Sequence, residues 1–76
     1  MNEQIAKYIR DRIDEGGWKQ NFVSQKTGIS PQSLSVLLSG KREWKLIHLQ
    51  AMADFFGVPI STLVREATST AALGGR

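Results

Sequence analysis

The chain has 76 residues, ten Lys and Arg against seven Asp and Glu, and no cysteine. This length allows one domain, and the lack of cysteine excludes a disulfide framework and a thiolate metal site. No apolar run approaches the ~18 residues of a membrane span, and the polar N-terminus MNEQ does not resemble a signal peptide, so we expect a cytoplasmic protein with no membrane partner.

The first predicted helix runs from Asn2 to Asp14. Asn2 is a suitable N-cap, because its side chain can accept hydrogen bonds from the free N–H groups of the first turn. An isoleucine at every fourth position predicts a buried face: Ile5, Ile9 and Ile13. Gly16-Gly17 ends the helix, and Trp18 is expected to pack on the next helix and the core.

Two short helices joined by a tight turn are predicted next. The first, Gln20 to Thr27, ends at Gly28, because glycine adopts a left-handed backbone at little cost. The second helix runs from Pro31 to about Leu38, and Ser30 is placed to cap it. A proline suits the first helical position, because an N–H there would have no hydrogen-bond partner within the helix. Two helices around a turn containing Gly form a helix-turn-helix, whose second helix enters the major groove in DNA-binding versions.

The positive charge lies on these two helices and the loop after them. Residues 18–45 carry five Lys or Arg and one Glu, a net charge of +4. Residues 1–17 carry three basic and four acidic side chains, a net charge of −1, and residues 46–76 are neutral overall. A basic patch on one element is typical of proteins that bind polyanions, although a solvated surface with a chance surplus is the alternative.

A fourth helix is predicted from about Lys45 to Phe56. Its apolar stripe comprises Leu46, Leu49, Met52, Ala53 and Phe56. Trp44 precedes it and has two placements, packed on this helix or partly exposed near DNA or a second subunit. His48 is the single histidine, so a metal or acid–base role for it lacks a second ligand or partner.

The chain then turns at Gly57 and continues into a short fifth helix, Ile60 to Arg65. The small-residue segment 67–76 has little pattern and is expected to be a flexible C-terminal tail. These elements define one helical domain over residues 1–66, with the helix-turn-helix at about 20–38.

The ordered residues of this pattern resemble the helix-turn-helix of the phage Cro/repressor family. In the helix-turn-helix and its exit they are Gln20, Ser24, Gly28, Ile29, Ser30, Leu34, Leu37, Gly40, Lys41 and Arg42. Downstream they are Ala53, Phe56, Gly57, Val58, Ile60 and Leu63. The resemblance covers about residues 5–66 and implies an all-α, five-helix lambda-repressor-like fold. It also implies a DNA-binding transcriptional regulator in the cytoplasm of a bacterial host.

Four positions depart from the family pattern, one of which is Trp44, where Pro or a polar residue is frequent. Ser24 stands where Ala is usual; it is small enough for the two helices to approach closely, but its hydroxyl needs a partner such as the backbone of its own helix. Lys19 stands where a Thr or Ser often caps the helix, and lysine cannot accept from the free N–H groups. Pro31 stands where Gln is frequent, which removes one amide that could read a base.

By resemblance, the base-contacting positions lie on the first turns of the second helix of the motif. Carried onto this chain they are Pro31, Gln32, Ser33, Ser35 and Val36. Gln32 is the strongest candidate, because its amide offers one donor and one acceptor, which adenine complements in the major groove. The alternative is an ordinary polar residue on a helix surface.

The candidates for phosphate contact flank that helix. They are Lys19, Gln20, Ser30, Lys41, Arg42 and Lys45. The start of the helix at Gln20 also presents free N–H groups and a positive dipole end, which suit a phosphate oxygen. Ser30 is expected to act chiefly as a cap.

A single recognition helix reads only a few base pairs, so a homodimer, at least on DNA, is expected. In related phage proteins the fifth helix and the segment after it form the dimer contact. On this chain Phe55 and Val64 are the apolar candidates in that region.

Two other classes of function compete with a DNA-binding repressor. The same fold can serve as a protein-interaction module, such as an antitoxin or a regulatory subunit. An enzyme is not expected, because the chain has one His, no Cys and no Gly-rich phosphate loop, and its close carboxylates Asp11, Asp14 and Glu15 lie on a polar helix side. No cofactor and no small-molecule ligand is expected.

Overall fold

The computed structural model describes the backbone of residues 2–74 and the side chains of residues 2–69, and this part of the chain is all-helical. The helices are α1 Asn2–Gly16, α2 Gln20–Thr27, α3 Pro31–Leu38, α4 Leu46–Phe56 and α5 Ile60–Gly74. The predicted all-α, five-helix fold is confirmed.

One apolar core joins the five helices. Helix α1 packs against α3 and α5, α2 packs against α3 and α4, and α4 packs against α5. The largest fully buried side chains are Ile9, Val23, Leu34, Leu37, Met52 and Leu63. Burying each of these side chains contributes about 1.5–3 kcal/mol relative to exposing it. The pair α2–α3 is therefore held between α1 on one side and α4 on the other.

The first turn of α4 differs from the prediction. Leu46 is expected in the buried stripe but is 72% exposed, and the adjacent Ile47 is 74% exposed. The core instead takes Trp44, which is 5% exposed and lies just before the helix. Helical spacing places Leu46 on the same face as Leu49. However, Leu46 is the first residue of the helix, and its side chain lies outside the core.

The two tryptophans have different environments. Trp18 is 38% exposed, and its ring meets Phe55 of α4 edge to face with centroids 4.9 Å apart. It packs over the end of α1 so closely that a Cβ added at Gly16 would overlap its ring. Trp18 therefore covers the α1–α2 junction from the surface, and Trp44 is the tryptophan of the core.

Helix α5 continues beyond its predicted end at Arg65, to Gly74. Ala67 is buried one turn after Leu63, so the apolar stripe of α5 extends along α1. The Tyr8 hydroxyl donates to Glu66 at 2.7 Å, and burial, followed by this bond, raises the pKa of Tyr8. Helix α5 thus crosses the domain boundary expected after residue 66, which stays a prediction. The flexibility expected of residues 67–76 stays a prediction, and residues 75–76 lie outside the described part.

Across the described backbone, none of the helices alone has the length and apolar composition to cross a bilayer. Helices α4 and α5 pass that test only as a pair, and they are bent by 96° at their junction.

Candidate nucleic-acid interface

The turn between α2 and α3 is closed by hydrogen bonds. Gly28 has φ +77°, and its N–H donates to the Ser24 carbonyl at 3.0 Å. The buried Ser24 hydroxyl donates to the carbonyl of Ile29, which plugs the turn and is itself buried. The sequence suggested a partner within α2, whereas the structure shows one in the turn. This bond links the end of α2 to the turn that precedes α3.

The start of α3 is capped as predicted. Ser30 has an extended backbone, and its Oγ accepts from the Ser33 N–H at 3.2 Å. Pro31 occupies the first helical position. Both features hold the backbone of the first turn, where the exposed Gln32 lies.

Ser30→Ala is expected to lower the free energy of unfolding by about 0.5–2 kcal/mol, because it removes this cap. Chemical denaturation followed by helical circular dichroism measures the change. Ser35→Ala, an exposed position within the same helix, is the matched control and is expected to change stability by less than about 0.5 kcal/mol. Equal effects of the two substitutions would contradict the capping role.

Helix α3 has one buried side and one exposed side. Leu34, Leu37 and Leu38 are buried against the core. Of the candidates for base contact, the exposed ones are Pro31, Gln32, Ser35 and Val36, and Ser33 is half-buried. The exposed side bears uncharged side chains, two of them apolar, one amide and one hydroxyl.

The candidates for phosphate contact are all exposed: Lys19, Gln20, Ser30, Lys41, Arg42 and Lys45. Lys19 provides no side-chain cap, so the first N–H groups of α2 are not satisfied by it. Gln20 and Ser35 line one open cleft between α1, α2 and α3. The start of α2 and the exposed side of α3 therefore face the same surface.

Side chains from α1 and from the loop itself hold the end of α3 and the loop after it. The Trp44 indole N–H donates to the Leu37 carbonyl at 3.0 Å, and Arg10 Nη1 donates to the Leu38 carbonyl at 2.8 Å. Of its two predicted placements, Trp44 therefore takes the packed one. Asn2, predicted as the N-cap of α1, instead directs its side chain to this loop. Sequence reasoning missed Arg10 and this use of Asn2, and no local pattern marks either.

The predicted dimer residues have partners within the chain. Phe55 and Val64 are half-buried and pack against the core. Phe55 also contacts Trp18. The ring centroids of Phe55 and Phe22 are 6.2 Å apart, and Phe22 is 40% exposed. Trp18, Phe22 and Phe55 form a surface aromatic cluster on the side of α2 and α4.

His48 serves the start of α4. Its Nδ1 accepts from the Lys45 N–H at 3.4 Å, and its ring meets Trp44 edge to face. Within the described residues, no three His, Cys, Asp or Glu side chains are grouped so as to hold a metal ion.

A family model described as helix-turn-helix matches residues 4–63. No curated protein and no solved structure matches the chain significantly. The matched segment contains nearly all of α1, the whole of α2 to α4 and the start of α5, and therefore every element that builds the exposed side of α3.

Proposed function

Because this chain belongs to the XRE-type helix-turn-helix family, whose domains bind DNA, we propose that it is a Cro-like phage or prophage repressor. It recognises a pseudo-palindromic operator in double-stranded DNA by placing α3 in the major groove, and it acts in the cytoplasm, on the nucleoid. Occlusion of a promoter is its mode of regulation. The family is one of DNA-binding regulators and not of enzymes.

The exposed side of α3 carries this proposal. Helix α3 is capped at its start and buried on the side opposite the exposed one. Exposed basic side chains lie just before α2 and in the loop after α3. Base-edge contacts specify sequence and phosphate contacts position the protein, and the two sets of side chains are here on separate elements.

Gln32 is the proposed reader of an adenine, through its amide donor and acceptor. Val36 and Pro31 offer apolar atoms to a thymine methyl group, and Ser33 and Ser35 read less sharply, because a hydroxyl donates or accepts.

Phosphate contacts come from both sides of α3. On one side the first turn of α2, with Lys19 and Gln20, offers N–H groups and the positive end of the helix dipole. On the other side Lys41 and Arg42 follow α3, and Lys45 precedes α4.

A dimer places two copies of α3 in successive major grooves, about 34–36 Å apart. Phe55 and Val64 are the proposed contact, because they remain half-exposed after packing on the core.

Removal of one phosphate-contacting charge is expected to weaken binding to all duplexes about equally. Lys41→Ala and Arg42→Ala should each reduce the slope of log K against log salt by about 1, because one fewer counterion is released. Arg65→Ala, an exposed position on α5, removes the same charge and should leave the slope unchanged. DNA titrations at four or more salt concentrations measure this slope. An equal change of slope in Arg65→Ala would show that the effect comes from net charge and not from a phosphate contact.

Selection of bound duplexes from a random pool at near-physiological salt tests the function itself. An enriched motif with dyad symmetry is the expected result. A single enriched half-site would retain DNA recognition and remove the dimer. Absence of enrichment, with weak and salt-sensitive retention, would contradict sequence-specific binding.

The surface aromatic cluster favours a second candidate, a protein-interaction module on the same fold. Trp18 and Phe22 expose more than a third of their surface, and aromatic side chains are enriched at protein interfaces. Under this alternative, Phe22→Ser would abolish function, whereas Gln32→Ala and Arg42→Ala would leave it intact.

A further inference from the structure

The side chain of Asn2 makes three hydrogen bonds to the loop after α3. Its Nδ2 donates to the carbonyls of Gly40 at 3.1 Å and Arg42 at 3.0 Å, and its Oδ1 accepts from the Trp44 N–H at 2.8 Å. These bonds join residues separated by 38 to 42 positions in sequence. One side chain at the start of α1 thus satisfies three backbone groups of a segment that has no helical hydrogen bonds of its own.

The bonds match the chemistry of an asparagine. Its amide carries two donors and one acceptor oxygen on a short stem, and all three functions are used. Aspartate lacks the donors and serine lacks the second donor. The loop also lies directly on α1, since a Cβ added at Gly40 would be 3.7 Å from Glu3 Cγ and 3.9 Å from Ala6 Cβ.

We propose that Asn2 is a positioning residue for DNA binding, which clamps residues 40–44 onto α1 and so holds the backbone that presents Lys41 and Arg42 to phosphate. The inference rests on the proposed function of these two side chains. Both are exposed, Lys41 lies between the two clamped carbonyls, and Arg42 carries the second of them, two residues before the anchored Trp44. Because the loop is ordered on folding, its conformational entropy is not lost again when DNA binds.

Amide hydrogen exchange of the free protein tests the clamp without DNA. In Asn2→Ala the Trp44 N–H loses its acceptor, and its exchange rate is expected to rise by about tenfold or more, while the amides of Ile9 and Leu63 keep theirs. Gln4→Ala, an exposed position on the same helix, is the matched control. Unchanged exchange at Trp44 in Asn2→Ala would overturn the proposal, as would an equal rise at every core amide, which would show general destabilisation.

A double-mutant cycle tests the positioning role at a temperature where all variants are folded. Asn2→Ala is expected to raise Kd about tenfold for the selected duplex and for unrelated duplexes alike. In a chain that already carries Lys41→Ala and Arg42→Ala, the same substitution should raise Kd less than about twofold. An equal loss in both backgrounds would overturn the proposal, because Asn2 would then act independently of the two basic side chains.

Failure of the proposed function has a separate signature. A parent chain that binds no duplex removes that function and the positioning role with it, whereas normal DNA binding with an additive cycle removes the positioning role alone.

Discussion

Trp44→Ala is expected to lower the free energy of unfolding by about 3–5 kcal/mol. The side chain is 5% exposed, and its indole N–H donates to the Leu37 carbonyl at the end of α3. The substitution therefore leaves a cavity in the core and removes one of the hydrogen bonds to the Leu37 carbonyl, which still accepts from the Gly40 N–H at 3.2 Å. The free energy of unfolding of native proteins is about 0.05–0.15 kcal/mol per residue. A loss of about 3–5 kcal/mol, the range for Trp→Ala or Phe→Ala in a core, therefore removes a large part of the stability of a 76-residue chain.

Urea denaturation monitored by far-ultraviolet circular dichroism measures this loss. Trp44→Phe separates its two causes, because phenylalanine fills most of the volume but cannot donate to Leu37. About 0.5–1.5 kcal/mol is expected for the lost bond, since the Leu37 carbonyl keeps the Gly40 N–H as a donor. Trp18→Ala removes the same side chain from a site that is 38% exposed, and should cost less than half as much. Equal costs for Trp44→Ala and Trp18→Ala would contradict the assignment of Trp44 to the core.

Gln32→Ala is expected to remove about 1–3 kcal/mol of discrimination at one base pair of each half-site, which is the range for a bidentate amide–adenine contact. The side chain is exposed on α3, so its loss should leave the free energy of unfolding nearly unchanged. The two effects together distinguish a reader of sequence from a residue that supports the fold.

Titration of the selected duplex and of duplexes with each position changed singly measures that discrimination. In Gln32→Ala one position should tolerate all four bases, while the others keep their preferences. Gln25→Ala, an exposed glutamine on α2, is the matched control and should keep the full pattern. A uniform weakening across all duplexes would instead make Gln32 a phosphate contact, and unchanged binding would remove it from the interface.

Local chemistry explains why most of the fold was predictable. The turn at Gly28 needs a left-handed backbone, and Ser30 with Pro31 determines a helix start from within one turn of chain. Isoleucines spaced by four on α1 select one buried face whatever packs against it. The exposed side of α3 is predictable in the same way, because the burial of Leu34 and Leu37 leaves Gln32 and Val36 outside.

The sequence by itself therefore determined five helices, the helix-turn-helix and most of the residues on the exposed side of α3, with Ser33 half-buried. Only the tertiary structure decided which tryptophan enters the core, where α5 ends, and that Leu46 stays outside. It also decided how the end of α3 and the loop after it are held, since Arg10 and Asn2 reach their partners across 28 to 42 residues of sequence. Capping and periodicity act within a few residues, whereas these contacts depend on which helices become neighbours, and no short pattern encodes that.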